Sequence, residues 1–255
     1  MLVEMDCVIR EVVDRYVGYY FRKVRIEQVR WKDPRQVVTP ADLAIEAELA
    51  ARLPELVPGG VVAEERGADR AWEPGQATWI IDPIDGSAQF ARGSTEFATT
   101  VALWQAERLE AAWIYAPSRG QMWTARRGHG VRLNDAPLHR AGTGSAISVT
   151  ADEYITSPLR RTAALLRARG LRVMPCQTVS LAYTRLATGD LAAAIYDWDS
   201  PWDHAAGTLL NSEAGLAIRH ATGEHYDPRR RTTAPLVIAP APQWNTLAAA
   251  VRDRH

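Results

Sequence analysis

The chain has 255 residues, 47% hydrophobic and 24% charged, enough for a sizeable core in one domain or two closely joined subdomains. Its 30 Lys and Arg cancel its 30 Asp and Glu, so the charge balance points to neither nucleic acid nor a membrane surface as partner. Cys7 and Cys176 fit no zinc spacing, no apolar run approaches the roughly 20 residues that cross a bilayer, and Glu4 and Asp6 stand where a signal peptide would be basic. A soluble, cytoplasmic protein is the expectation.

In chain order, Val8, Ile9, Val12, Val13, Tyr16, Val17 and Tyr20 fall at helical spacing and predict an amphipathic helix over 2–22. Residues 27–38, broken by Asp33-Pro34, read as a loop. Thr39 and Pro40 suit the N-cap and first position of a helix reaching Leu53, with Asp42 in a first turn where the dipole alone would favour an acid. Val61–Ala63 is a short strand stopping at Glu64-Glu65, and 66–77 is a loop. Trp79–Ile81 then ends a buried strand, closed by Pro83, which cannot donate to a ladder. Gly86-Ser87 predicts a turn into a short helix, with Ser87 as N-cap and its first amides open to an anion. Asp82 and Asp85 would then sit together at the mouth of a strand, level with Glu64. The stretch reads two ways, as an Asx-Pro turn or as the seat of a divalent cation bridging to a phosphate.

Strands over 98–104, 109–115, 122–125 and 131–133, joined by tight turns such as Asn134–Pro137, predict an antiparallel meander. Arg126, Arg127 and Arg132 on its turns could reach a phosphate, but exposed hairpin arginines are more often solvated. Gly142–Ser145 reads as a linker. After it the pattern changes to strand–helix alternation, with strands over 146–150, 171–174, 191–196, 216–220 and 235–239. The helices between and after them cover 158–169, 179–187, 205–214 and 244–251, and Asp203 lies at the start of the third. The expected architecture is mixed α/β (α+β). An N-terminal subdomain over 1–142 would carry the metal site and the meander, and a C-terminal α/β subdomain over 143–255 would close the site, in one compact unit.

Hard cations such as Mg²⁺ take carboxylate, water and phosphate oxygens. Glu64, Asp82, Asp85 and Asp203 come from separate segments, and gathering them would set like charges against one another unless metal ions relieved the repulsion. Two ions about 4 Å apart activate a water and stabilise a leaving oxygen. The sequence has no Gly-x-Ser-x-Gly elbow, Walker lysine loop or His-Glu-x-x-His. His204, beside Asp203, reads as an orienting or packing residue.

Asp82-Pro83-Ile84-Asp85-Gly86-Ser87 resembles the signature of the inositol monophosphatase family, and Ala63-Glu64-Glu65 resembles its first metal motif. Trp202-Asp203-His204-Ala205-Ala206-Gly207, running on to Glu213-Ala214-Gly215, is similar to its C-terminal motif. Val38-Thr39-Pro40-Ala41-Asp42 and Arg127-Gly128-His129-Gly130 with Asn134 match two further segments in the right order. The resemblance implies a layered αβαβα sandwich of the inositol monophosphatase and fructose-1,6-bisphosphatase type. It implies one Mg²⁺ on Glu64, Asp82 and the Ile84 carbonyl, a second on Asp82, Asp85 and Asp203, and a third, weaker ion by Glu64. With Glu64, Asp42 and Ser87 would form the catalytic set, the latter two orienting the attacking water. The amides of Gly86 and Ser87 would cradle the phosphate, and hydrolysis would be direct, without a phosphoenzyme. Lithium sensitivity and a homodimer are implied as well.

Thr178, Tyr196 and Asp203 fall at the family's substrate contacts, though Tyr196, with Trp198 and Trp202 nearby, reads either as stacking on a substrate ring or, more readily, as core. There the likeness thins. Met174–Val179 replaces an Arg-x-x-Gly-Ser/Thr-Ala segment of which Thr178 alone fits, and Tyr196 stands in place of a ring-contacting Glu. The metal half of the pattern is present and the half that reads the inositol ring is not. The implied activity is a Mg²⁺-dependent phosphomonoesterase acting on a small phosphorylated polyol, sugar or amino alcohol. Its alternatives are a phosphatase for 3′-phosphoadenosine 5′-phosphate or fructose 1,6-bisphosphate, and a non-catalytic metal-binding regulatory protein.

Overall fold

The structure, a computed structural model, describes residues 2–32, 37–67, 72–142, 144–150 and 159–252. The Asp33-Pro34 break, part of the 66–77 loop, Thr143 and the Pro158 helix start lie outside the described residues. The first half runs α1 (Leu2–Tyr20), β1 (Arg30–Trp31), β2 (Val37–Val38), α2 (Pro40–Leu56), β3 (Gly59–Ala63), β4 (Ala77–Asp85) and α3 (Ser87–Ala91). It continues through β5 (Ala98–Gln105), β6 (Arg108–Ala116), β7 (Gln121–Arg126), β8 (Val131–Leu133) and β9 (Ala136–Leu138). The second half holds β10 (Ala146–Val149), α4 (Arg160–Ala168), β11 (Arg172–Pro175), α5 (Val179–Thr188), β12 (Ala193–Tyr196), α6 (Pro201–Glu213), β13 (Ala217–His220), β14 (Leu236–Ala239) and α7 (Ala241–Arg252).

Period-two alternation along the strands distributes their side chains between two cores. On one face of the seven-stranded sheet β3–β9, Trp79, Ile81, Val101 and Trp113 pack against the apolar stripes of α1 and α2. On the other face, Ile80, Ala102 and Ile114 meet Leu181 and Tyr183 of α5 and Leu209 and Leu210 of α6. Those helices also cover Ala194, Tyr196 and Ile238 of the second sheet, ordered β11-β10-β12-β14-β13. The far face of that sheet, with Val149, Ile195 and Val237, is closed by Ala163 and Leu166 of α4 and Trp244 and Leu247 of α7. The result is the αβαβα sandwich. The two sheets divide between β9 and β10, yet α5 and α6 share a core with both, so the halves are not packed independently.

Several local expectations are corrected. Residues 27–38 are not all loop, since β1 pairs antiparallel with β2, Trp31 opposite Val37. Ala136-Pro137 belongs to strand β9 rather than to a turn. Gly142 and Gly144 are not a loose linker: their amides donate to the Thr188 and Gly189 carbonyls, and a Cβ on Gly144 would lie 2.3 Å from the Asp190 carbonyl oxygen. Pro83 does not end its strand. β4 continues to Asp85 through a bulge, with Asp82 opposite Thr100 and Asp85 opposite Ala98, so one extra residue is carried on β4. The bulge accommodates the missing donor, and Thr99 Oγ1 bonds the Pro83 carbonyl at 2.7 Å.

Candidate metal and phosphate site

The bulge decides where the signature points. In a regular strand Asp82 and Asp85, three apart, would face opposite sides of the sheet. One extra residue restores the phase and turns both carboxylates to the same side. On the neighbouring strand Ala63 pairs with Ile81, and the Glu64 amide donates to the Ile81 carbonyl at 3.2 Å, so Glu64 is level with Asp82. The fourth acid arrives from the other half of the chain. α6 begins at Pro201, earlier than the predicted 205, so Asp203 lies in its first turn. Thr100 of β5 ties that turn down by bonding the Trp202 carbonyl at 3.0 Å.

Oxygens of Asp82, Asp85 and Asp203 lie within 4.8 Å of one another. Each partner is fixed from outside: the Ser180 amide of α5 donates to Asp85 Oδ2 at 2.5 Å, and Trp198 Nε1 donates to Asp203 Oδ2 at 2.8 Å. Asp82 is 1% exposed and its Oδ1 has no hydrogen-bond partner among the described residues. Burial raises all three carboxyls above the ordinary range. Asp82 is pushed up further by Glu64 and Asp85, and Asp203, with Glu64 and Asp85 beside it, reaches about 8. A buried carboxylate with an unused oxygen, grouped with two other aspartates and, among the described residues, with no histidine or cysteine ligand, fits a hard divalent cation such as Mg²⁺. Glu64 stands beside this trio rather than in it, since its carboxylate bonds Lys32 Nζ at 3.1 Å and the same ammonium holds Glu65 at 2.6 Å.

Asp42 and Ser87 meet as a pair. Thr39 caps α2 and donates its backbone N–H at 2.9 Å and its hydroxyl at 2.5 Å to Asp42 Oδ2, which holds the carboxyl in place. Ser87 Oγ lies 2.5 Å from Asp42 Oδ1 and 2.8 Å from the Ile84 carbonyl, and its single proton serves one of them at a time. Burial lifts Asp42 to about 7 against the lowering effect of those hydrogen bonds. Ser87 is not the N-cap of α3. Gly86 is, at φ +93°, and a Cβ there would lie 2.8 Å from the Glu96 carbonyl oxygen, so the turn demands glycine. Thr178 Oγ1 backs this turn and donates to Glu96 O at 2.9 Å.

Tyr196 is fully buried, with its ring 5.1 Å from His204 and 5.5 Å from Tyr183, so it packs in the aromatic core around those two rings. His204 is fully enclosed too. It bonds Tyr183 Oη through Nδ1 at 2.9 Å, and burial holds its imidazole neutral by lowering its pKa to about 3. Sequence reasoning missed Lys32, Ser180 and the role of Trp198. Each reaches the acids from another segment, and nothing local in its surroundings marks it.

A five-layered α/β sandwich carrying an all-oxygen acid site at its strand ends defines the class. The chain belongs to the inositol monophosphatase family, whose profile matches residues 3–255. It is 32% identical over 213 residues to the inositol-1-monophosphatase of Mesorhizobium japonicum, covering 80% of this chain and 79% of the relative. To the Nus factor SuhB of Pseudomonas aeruginosa it is 31% identical over 221 residues, with the same 80% and 79% coverage. Its fold superimposes on the crystal structure of an IMPase/NADP phosphatase complexed with Mg²⁺ and phosphate with a TM-score of 0.82 at 20% identity, over 98% of this chain and 94% of that one.

Proposed function

We propose that this chain is a Mg²⁺-dependent phosphomonoesterase acting on a small phosphorylated metabolite. The observation that carries the reading is the convergence of buried Asp82 with half-buried Asp85 and Asp203 beside the Asp42–Ser87 pair. Asp82, Asp85 and Asp203 would hold the ions, with Glu64 and the Ile84 carbonyl completing the set. When bound, Mg²⁺ supplies positive charge to the phosphate oxygens and eases ionisation of the attacking water. Ser87 Oγ orients that water and relays its proton to Asp42, whose raised pKa suits an acceptor near neutral pH. The first amides of α3, left without intrahelical acceptors, face the phosphate. Lithium inhibition and a homodimer belong to the same reading.

Inositol phosphate is not the favoured substrate in this reading, because Tyr196 is enclosed at the position where the family resemblance would put a ring-contacting acid. A regulatory role without turnover, which the name of the Pseudomonas relative raises, is opposed by the Asp42–Ser87 pair, since metal retention alone does not require it. Phosphate release is to be measured with Mg²⁺ and with EDTA across inositol phosphates, histidinol phosphate, fructose 1,6-bisphosphate and 3′-phosphoadenosine 5′-phosphate. Turnover of at least one ester in Mg²⁺, abolished by EDTA, is expected. Metal binding with no turnover of any of them would refute the proposal.

A further inference from the structure

Glu46 lies one turn after Asp42 on the same face of α2 and is 2% exposed. A carboxylate is rarely so enclosed without a partner. Arg66 supplies only a loose one: its Nε lies 3.7 Å from Glu46 Oε1, and its side chain is 54% exposed. The close contact is to main chain. The Glu65 amide donates to Glu46 Oε2 at 2.7 Å.

That amide belongs to the turn that carries Glu64. Ala63 and Gly67 exchange backbone hydrogen bonds of 3.1 and 2.9 Å, which leaves Glu64, Glu65 and Arg66 as the loop between them. The Ile81 carbonyl of β4 accepts the Glu64 amide at 3.2 Å, so the turn is fastened to β4 at Glu64 and to α2 at Glu65. Lys32 holds the carboxylates of Glu64 and Glu65, whereas Glu46 holds the backbone from which they project. A charged acceptor bonds an amide more strongly than a neutral one does, and without any acceptor the amide would lose its partner in a part-buried place. The helix that supplies the acceptor is itself anchored: Ala41, Ile45 and Leu49 pack in the core, and Asp42 is bonded to Thr39 and Ser87. One helix thus ties the Asp42–Ser87 pair to the Glu64 turn.

We propose that Glu46 is a positioning residue for the cation site: by fixing the 64–66 turn to α2 it sets where the Glu64 carboxylate can reach. The inference rests on the phosphatase reading, which makes Glu64 a metal ligand. Mg²⁺ is titrated calorimetrically into the metal-free full chain, and the step that depends on Glu64 is identified as the one lost in Glu64→Ala. That step is expected to be at least about 10-fold weaker in Glu46→Ala, the usual scale for a residue that orients a metal ligand. In Glu46→Gln, whose side-chain oxygen still accepts the Glu65 amide, it should stay within about 3-fold of the wild type. In a Glu64→Ala background, Glu46→Ala should change Mg²⁺ affinity no further, as for two residues acting through one contact. A merely stabilising role would lower Tm without moving these affinities. If Glu46→Ala fails a thermal-unfolding check, Glu46→Leu, which fills the space without accepting the amide, carries the same expectation. Equal affinity in the wild type and Glu46→Ala, a Glu46→Gln variant as weak as Glu46→Ala, or a loss that persists without Glu64 would overturn this proposal and leave the phosphatase reading standing. So would Mg²⁺ binding unchanged in Glu64→Ala. No Mg²⁺ binding to the wild type would overturn both.

Discussion

Removing divalent ions should make this protein less stable as pH rises, the reverse of ordinary acid denaturation. In the unfolded chain aspartates titrate near pH 4. In the folded, metal-free chain Asp203 titrates near 8 and Asp42 near 7, and burial also raises Asp82 and Asp85. Between these limits the native state holds protons that the unfolded state has released. Unfolding free energy therefore falls with pH, by about 1.4 kcal/mol per pH unit for each proton held. Because these folded pKa values are raised, the stability is present at low pH and lost as pH climbs through them. If the cluster as a whole holds one proton, two pH units cost about 3 kcal/mol, and a chain of this size loses roughly 2–4 °C of Tm per kcal/mol. Thermal unfolding followed by circular dichroism in EDTA should therefore show Tm dropping by about 6–11 °C from pH 5.5 to 7.5. Mg²⁺ takes the place of the protons, so with it the slope should flatten and its stabilising effect should grow with pH. An EDTA curve that is flat or rises over this range, or a Mg²⁺ effect independent of pH, would refute the account of the acids as a metal-neutralised cluster.

Asp42→Asn keeps the shape of the pair but removes its proton acceptor. Turnover should fall by about 10²–10⁴-fold while the Mg²⁺-dependent rise in Tm persists, and loss of both would make Asp42 a metal ligand. Gly86→Ala forces a Cβ against the Glu96 carbonyl at φ +93°, so it should cost about 1–3 kcal/mol in denaturant unfolding and raise KM; wild-type stability would mean that the turn relaxes freely. Gly207→Ala places a Cβ 2.1 Å from Cδ2 of buried Tyr183, and overpacking of about 1–3 kcal/mol should appear as a lower Tm. An unchanged Tm would show that α5 and α6 can separate at no cost.

The helices and the long strands were legible because their signals are local. The stripe of α1, the Thr39-Pro40 start of α2 and the alternating faces of β5 and β6 all lie within a few residues of one another. The strands that were missed, β1, β2 and β9, have two or three residues each, too few to display a period. The 142–145 segment looked like a linker because it is rich in glycine. In the structure those glycines allow its backbone to lie against Gly189 and Asp190, a closeness that sequence composition does not encode.

For the site itself, the sequence by itself determined which acids exist and which of them end strands or begin helices, since capping, the dipole and proline restrict those positions locally. Tertiary structure decided which acids meet. The β4 bulge, set by pairing with β5, turns Asp82 and Asp85 to one side. The Thr100 bond to the Trp202 carbonyl anchors the first turn of α6, and with it Asp203, at the seven-stranded sheet. Lys32 draws Glu64 toward itself, and the packing of α5 against α6 encloses Tyr196. Each of these contacts joins segments distant in the chain, and their free energy depends on register and burial, which exist only once the sheets have formed.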